Sequence, residues 1–212
     1  SDGSEFQNLK LVTPNSQLMS DVFVRYPKEG FSNFDDDLII DAVIQNSFFG
    51  LKDIKFFMPN FSSSETIFLD QLNFSGSPTN YSIDSIRAIH EDISFLGSFA
   101  YNSQVNSSKL AIQELSINPK GIHTFFPSIN KSSIDFLKRF ENLNIKGKLE
   151  SKSANHKLDL LVDSALGQLQ INFDFFRNAN QKNIFYEGHI RANQFNIASL
   201  LNHSNIATTD AS

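Results

Sequence analysis

The chain has 212 residues, 40% of them hydrophobic, with a net charge of −5 and a pI near 5.5. That is enough apolar material for one large domain or a run of repeats, while an acidic chain with no run of Lys or Arg longer than two argues against a nucleic-acid surface or an anionic-membrane patch. Cysteine is absent, so disulfides and thiolate metal sites are excluded, and Phe (22) supplies the aromatic bulk where Trp is lacking.

Taken in chain order, residues 1–6 read SDGSEF, which resembles a cloning scar, and residues 7–33 form a first strand region. Period-two alternation then begins with Leu38, Ile40, Ala42 and Ile44 against Ile39, Asp41, Val43 and Gln45. Leu51, Ile54 and Phe57 have the spacing of a single helical turn, stopped by Pro59. Turn chemistry follows at 75–80, and alternation resumes with Ile93, Phe95, Gly97, Phe99 and Tyr101. Beyond the turn cluster at 102–108, Ile122, Phe125 and Phe126 suit another single turn before Pro127. A helix is expected near 133–140, capped by Ser132 or Ser133, with Ile134, Leu137 and Phe140 on one face. Strands are read through Leu143, Ile145, Gly147 and Leu149, then through Leu169, Ile171, Phe173 and Phe175. After a turn cluster at 178–182 comes a strand through Ile184, Tyr186, Gly188, Ile190 and Ala192, and a last helical turn carries Ile197, Leu200 and Leu201.

The chain resembles itself. Residues 69–76 read LDQLNFSG and residues 140–147 read FENLNIKG, an offset of 140 − 69 = 71. Residues 115–126 (LSINPKGIHTFF) and 190–201 (IRANQFNIASLL) close each copy at an offset of 190 − 115 = 75. A fainter copy, 44–57, places Gly50 and Leu51 at 71 residues before Gly121 and Ile122. The implied division is repeat units over 34–129 and 130–203 with a tail at 204–212, an array that a longer chain could extend.

Catalytic or metal chemistry is not signalled. His90, His123, His156 and His189 recur every 33 residues, but their neighbours do not repeat and no HxxxH or HExxH spacing occurs. Asp35–Asp37 lack the ligand spacing of a calcium loop and read as a solvated loop; Asp84, Glu91 and Asp92 near His90 read as a polar sheet face. No nucleophile elbow or phosphate-cradling glycine loop is present, so the chain is expected to be non-enzymatic, without cofactor or metal.

The expected fold class is therefore all-β: repeated antiparallel strand units with single-turn helices, forming a curled sheet with a groove, or else a closed β-sandwich. With almost no helix to cover them, the alternating apolar residues are candidates for a lipid-holding wall: Leu38, Ile40, Ile93, Phe95, Phe99, Tyr101, Leu143, Ile145, Leu169, Ile171, Phe173, Phe175, Tyr186 and Ile190. A plain sandwich used for binding or adhesion, and a scaffold that presents edge strands to a partner, are the competing readings.

Three stretches carry a resemblance to TamB-type proteins of the AsmA-like group. Residues 155–175 (NHKLDLLVDSALGQLQINFDF) resemble their paired strands joined at an LG turn, residues 186–201 (YEGHIRANQFNIASLL) resemble their closing segment, and residues 40–59 resemble their strand followed by F-G-L-x-D-I and a short helix. The resemblance implies a long curled sheet of the β-taco kind with an apolar groove that takes phospholipid or another acyl lipid. It implies a periplasmic location in the cell envelope, a parent anchored in the inner membrane, and a role in lipid transport to, or protein assembly in, the outer membrane with a barrel partner.

Overall fold

The structure, a computed structural model, describes residues 2–27, 34–56, 63–125, 129–177, 184–201 and 209–211. The strands are β1 Asp2–Val12, β2 Gln17–Tyr26, β3 Ile39–Gly50, β4 Thr66–Ser77, β5 Asn80–Ile89, β6 Ile93–Asn102, β7 Ser107–Ile117, β8 Leu143–Lys152, β9 Asn155–Ser164, β10 Gly167–Arg177, β11 Ile184–Phe195 and β12 Thr209–Ala211. All belong to one sheet whose spatial order is the chain order, and every neighbouring pair is antiparallel. The sheet is open: β1 and β12 are its two edges. It is a repetitive, curled all-β fold, as expected for twisted strands added one after another. The sandwich alternative is not what forms, because the described strands make one sheet and not two packed layers.

Helix is confined to short pieces. A 3-10 turn Leu51–Phe56 follows β3, α2 (Ile122–Phe125) follows β7, and α4 (Ile197–Leu201) follows β11. In an up-and-down meander these three strands run the same way, so all three turns gather at one end of the sheet. There too lie α3 (Lys131–Leu137) and the 3-10 turn Lys138–Phe140 that lead into β8. The helical expectations at 51–57, 122–126, 133–140 and 197–201 thus fall on helical residues; Phe57, Pro59, Phe126, Pro127 and the turn cluster 178–182 lie outside the described residues. Two local expectations are corrected. Asn130, not Ser132 or Ser133, caps α3, its side chain accepting from the Ser133 amide at 2.8 Å. And Asp35–Asp37 are not loop: they sit in a one-turn helix, α1 (Phe34–Asp37), held against the β4–β5 hairpin where Thr79 bonds to Asp36 and to the Asp35 carbonyl.

A helical turn after every fourth strand makes the repeat visible. At each of these places the preceding hairpin is tied to the chain just after the third strand. Asp53 binds the β1–β2 hairpin; the Asn118 amide donates to the Asp92 carbonyl at 2.8 Å; the Asn196 amide donates to the Leu166 carbonyl at 2.6 Å. Ile122 and Ile197 both open their turns, as the self-similarity predicts. The L-N-Φ-x-G match fits less well. Gly76 does not superpose on Gly147: strand pairing carries Gly76 across the sheet through Tyr81, Tyr101 and Ser108 to Ser151, four residues beyond Gly147.

Candidate functional site

Directly paired residues of neighbouring strands point to the same side of a sheet, so the register assigns every side chain to a face. One face is apolar across the whole meander. Its middle row runs Val22, Ala42, Phe74, Ile83, Phe99, Leu110, Leu149, Leu158, Phe173 and Gly188, each paired with the next. The next row toward the helical end runs Ser20, Ile44, Leu72, Ile86, Gly97, Ile112, Gly147, Leu160, Ile171 and Ile190. A third row, nearest the helical turns, includes Leu69, Ala88, Phe95, Leu115, Ile145, Val162, Leu169 and Ala192. The face survives because β-bulges keep it in phase. Phe6 and Leu9, Leu69 and Leu72, Ile83 and Ile86, and Ile112 and Leu115 are three apart, yet each pair stands on it.

The opposite face is mixed: ion pairs stand there beside half-exposed apolar side chains such as Phe23, Phe68 and the stacked pair Phe176–Phe185. Arg25–Asp41 (2.5 Å), Lys157–Asp174 (3.4 Å), Lys109–Glu150 (3.7 Å) and Arg87–Asp70 (3.7 Å) pair across it, all substantially exposed. Such pairs contribute little stability, but they fix that side as the one facing water.

Among the described residues, the apolar face is closed at one end only. Phe140, Leu143, Val162, Leu166 and Phe195 form a buried cluster under the helical turns, with Ile145, Leu160, Leu169, Ile171, Ile197 and Leu200 packed against it. Away from that end the described face residues are half-buried to exposed, Leu149 at 38% and Tyr186 at 72% against 8% for Leu143, and Ile190 on the penultimate strand is 49% exposed. At about 4.8 Å per strand and 6.8 Å per pleat, the rows of ten strands span roughly 43 by 20 Å. That is about 900 Å² for the whole face, of which the rows nearest the helical turns are partly covered.

Of the residues singled out from sequence, Ile40, Ile93, Phe95, Phe99, Tyr101, Leu143, Ile145, Leu169, Ile171, Phe173, Phe175, Tyr186 and Ile190 all stand on this one face. Leu38 precedes β3 and belongs to no strand. Leu143 is core beneath the helical turns, with Ile145, Leu169 and Ile171 beside it; Phe99, Tyr101, Phe173, Phe175, Tyr186 and Ile190 lie toward the uncovered part. The sequence reading missed Phe74, Ile83, Leu110 and Leu158. Leu110 and Leu158 join Phe99, Leu149 and Phe175 around an open cleft of about 350 Å³ with Ser108, Ser151 and His156 at its polar side.

The histidines do not converge. His90 is the most enclosed: its Nε2 lies 3.2 Å from Glu65 Oε2, its Nδ1 accepts from the Asp92 amide at 3.1 Å, and its ring packs edge-on to Phe125 at 4.5 Å. It therefore fastens the start of β4 and the β5–β6 hairpin to α2. His156 and His189 stand on opposite faces of the sheet. Among the described residues no three acidic or histidine side chains come together as a metal site. Asp53 is the other polar hub. It accepts from Thr13 Oγ1 at 2.5 Å, from Asn15 Nδ2 at 2.8 Å and from Ser16 Oγ, and these bonds, Ser16 first, hold its carboxyl below the usual aspartate range. This gives the Asp of the F-G-L-x-D-I stretch a structural part: it latches the β1–β2 hairpin onto the turn after β3.

No protein-family model matches the chain, and comparisons with curated proteins and with solved structures likewise give no match.

Proposed function

We propose that the apolar face is the wall of a groove that holds the acyl chains of phospholipid or another acyl lipid, in a non-enzymatic protein of the cell envelope. The observation that carries this reading is the continuity of the face: apolar rows cross ten strands and, among the described residues, are covered at the helical end alone. An acyl chain laid there gains about 0.8 kcal/mol per buried CH₂, so a two-tailed lipid gains on the order of 20 kcal/mol gross. The TamB-like patterning supports the same reading and adds its setting: a periplasmic segment of a parent anchored in the inner membrane, passing lipid toward the outer membrane or serving assembly there with a barrel partner. No helix among the described residues is long and apolar enough to cross a membrane.

A second reading has one observation in its favour. β12 pairs with β11 only at Ala192 and Phe195, which leaves residues 184–191 of β11 with an edge that no described strand occupies. A partner strand could add there. The groove reading is tested by mass spectrometry of lipids that co-purify with the full chain, followed by incubation with phospholipid vesicles. Acyl lipid bound in simple ratio to folded protein is the expected outcome. A folded chain that retains and extracts no lipid overturns the reading and leaves strand addition.

A further inference from the structure

All four tyrosines of the chain stand at one end of the apolar face. The row of residues farthest from the helical turns runs, pair by pair, Gly76, Tyr81, Tyr101, Ser108, Ser151, His156, Phe175 and Tyr186. Tyr26 lies one pleat beyond Val24, whose partner Ile40 pairs with Gly76 in the same row. One step inward the row is Phe74, Ile83, Phe99, Leu110, Leu149, Leu158 and Phe173, without a polar side chain. The change from apolar to hydroxyl-bearing side chains thus occurs in one step on the four neighbouring strands β5 to β8, with His156 beside them on β9, while β10 keeps an apolar residue, Phe175.

The two rows are knit together. Tyr81 packs on Phe74 (5.4 Å), Phe99 (6.0 Å) and Tyr101 (5.5 Å), and Ser151 Oγ lies 2.9 Å from His156 Nδ1. Tyr rings carry an apolar body and a polar tip, so they settle where an apolar medium meets water. The row holds no Lys, Arg, Asp or Glu. The nearest charged groups around the cleft, Glu150 and Lys157, are engaged with Lys109 and Asp174 on the other face.

We propose that this row is the head-group side of the trough. A phospholipid lies with its chains across the Phe and Leu rows toward the helix-closed end, and its ester and phosphate oxygens accept hydrogen bonds from the hydroxyls of three adjacent strands, Tyr101, Ser108 and Ser151, at the cleft. The row itself carries no charge and the Asp35–Asp37 carboxylates stand beside its β4–β5 end, so the site disfavours an anionic head group and takes one with no net charge. This rests on the groove reading above and adds to it a direction and a head-group class.

The chain reports on the row by itself, since it has four tyrosines, all at this end, and no tryptophan. The full chain is loaded with phosphatidylcholine that carries a nitroxide either on the head group or at the methyl end of one chain, and loading is read from lipid phosphorus that co-elutes with protein. The expected result is that the head-group label quenches tyrosine emission severalfold more than the chain-end label at equal loading. Equal quenching, or stronger quenching by the chain-end label, overturns the orientation while leaving the groove reading intact. Failure of either lipid to load overturns the groove reading and the orientation with it.

Discussion

Ile83 and Ile86 are three residues apart in β5, yet both stand on the apolar face, Ile83 opposite Phe99 and Ile86 opposite Gly97. The residues between them, Asp84 and Ser85, face only one residue, Ser98, on β6. The strand therefore carries one residue more than strict alternation allows, and the bulge returns the apolar side chains to the correct side.

Deletion of Asp84 is accordingly expected to be tolerated. It turns Ile83-x-x-Ile86 into a regular alternation that keeps both isoleucines on the face, so the denaturation midpoint should move little. Deletion of Ser98 in the unbulged β6 does the reverse: Phe99 and Tyr101 are thrown onto the polar side. At about 1.5–3 kcal/mol per exposed large side chain, the loss is on the order of 3–6 kcal/mol. Chemical denaturation of the two deletions side by side decides the matter; equal loss from both would show that the bulge in β5 is required in its own right.

The same bulges mark what could be read from sequence. The alternation found through Ile93–Tyr101, Leu143–Leu149 and Leu169–Phe175 lies in β6, β8 and β10, whose registers run unbroken on their own chain. In β3 it was legible as far as Ile44 and Gln45, just before Asn46, which takes a left-handed conformation (φ 47°) at a register shift. β4, β5 and β7 gave no clean alternation because each has two apolar face residues three apart, and Phe74, Ile83 and Leu110 went unnoticed for that reason. The helical turns were legible from their i, i+3 spacing and the prolines after them. What sequence could not supply was coverage: Leu143 and Phe173 look alike in a strand pattern, and only the placement of the helical turns makes the first core and leaves the second half-buried in the middle row.

Gly76 and Gly147 should each resist replacement by alanine. Both have φ in the left-handed half of the map (134° and 146°), and a β-carbon on either would run into the backbone of the following strand, at the carbonyl oxygens of Asn80 and Asp159 respectively. Strain of this kind costs about 1–3 kcal/mol at each site before any clash is relieved. Urea denaturation of Gly76→Ala and Gly147→Ala measures it. A loss at one position and none at the other would show that the two glycines do different jobs, despite the matching sequence around them.

The Asp53 latch gives the fold an acid-sensitive corner. Bonds from Ser16, Thr13 and Asn15 lower its folded-state pKa, so Asp53 contributes stability that is fully present above its unfolded value, about 3.9, and is lost as pH falls through the lower folded value. Hydrogen exchange at the amide of Gly50, which donates to Ser16 Oγ at 3.0 Å, should accelerate relative to the β8–β10 amides as pH drops below that point. Asp53→Asn should abolish the pH dependence of that difference. A pH response that persists in Asp53→Asn would place its origin in another group.

The last prediction separates groove from core. Phe173 stands in the middle apolar row, half-buried and stacked on Phe175 at 5.8 Å, while Leu143 is 8% exposed beneath Phe140 and the helical turns. A carboxylate introduced at the uncovered part of a trough can reach water, so Phe173→Asp should fold. It should also lose the roughly 1.5–3 kcal/mol that a large apolar side chain contributes to a contact. Converted at 1.4 kcal/mol per decade, that is about a tenfold or greater fall in lipid capture. A carboxylate at Leu143 has no such route. It is buried without a partner at a cost of several kcal/mol, a large share of the 5–15 kcal/mol that holds a domain folded. Leu143→Asp should therefore abolish the folded state, as read by the loss of the cooperative thermal transition. Phe95→Asp, in the row next to the helical turns, should fall between the two. If Phe173→Asp also fails to fold, and the native chain never captures lipid, then the face is a closed core in the working protein, covered by something other than acyl chains.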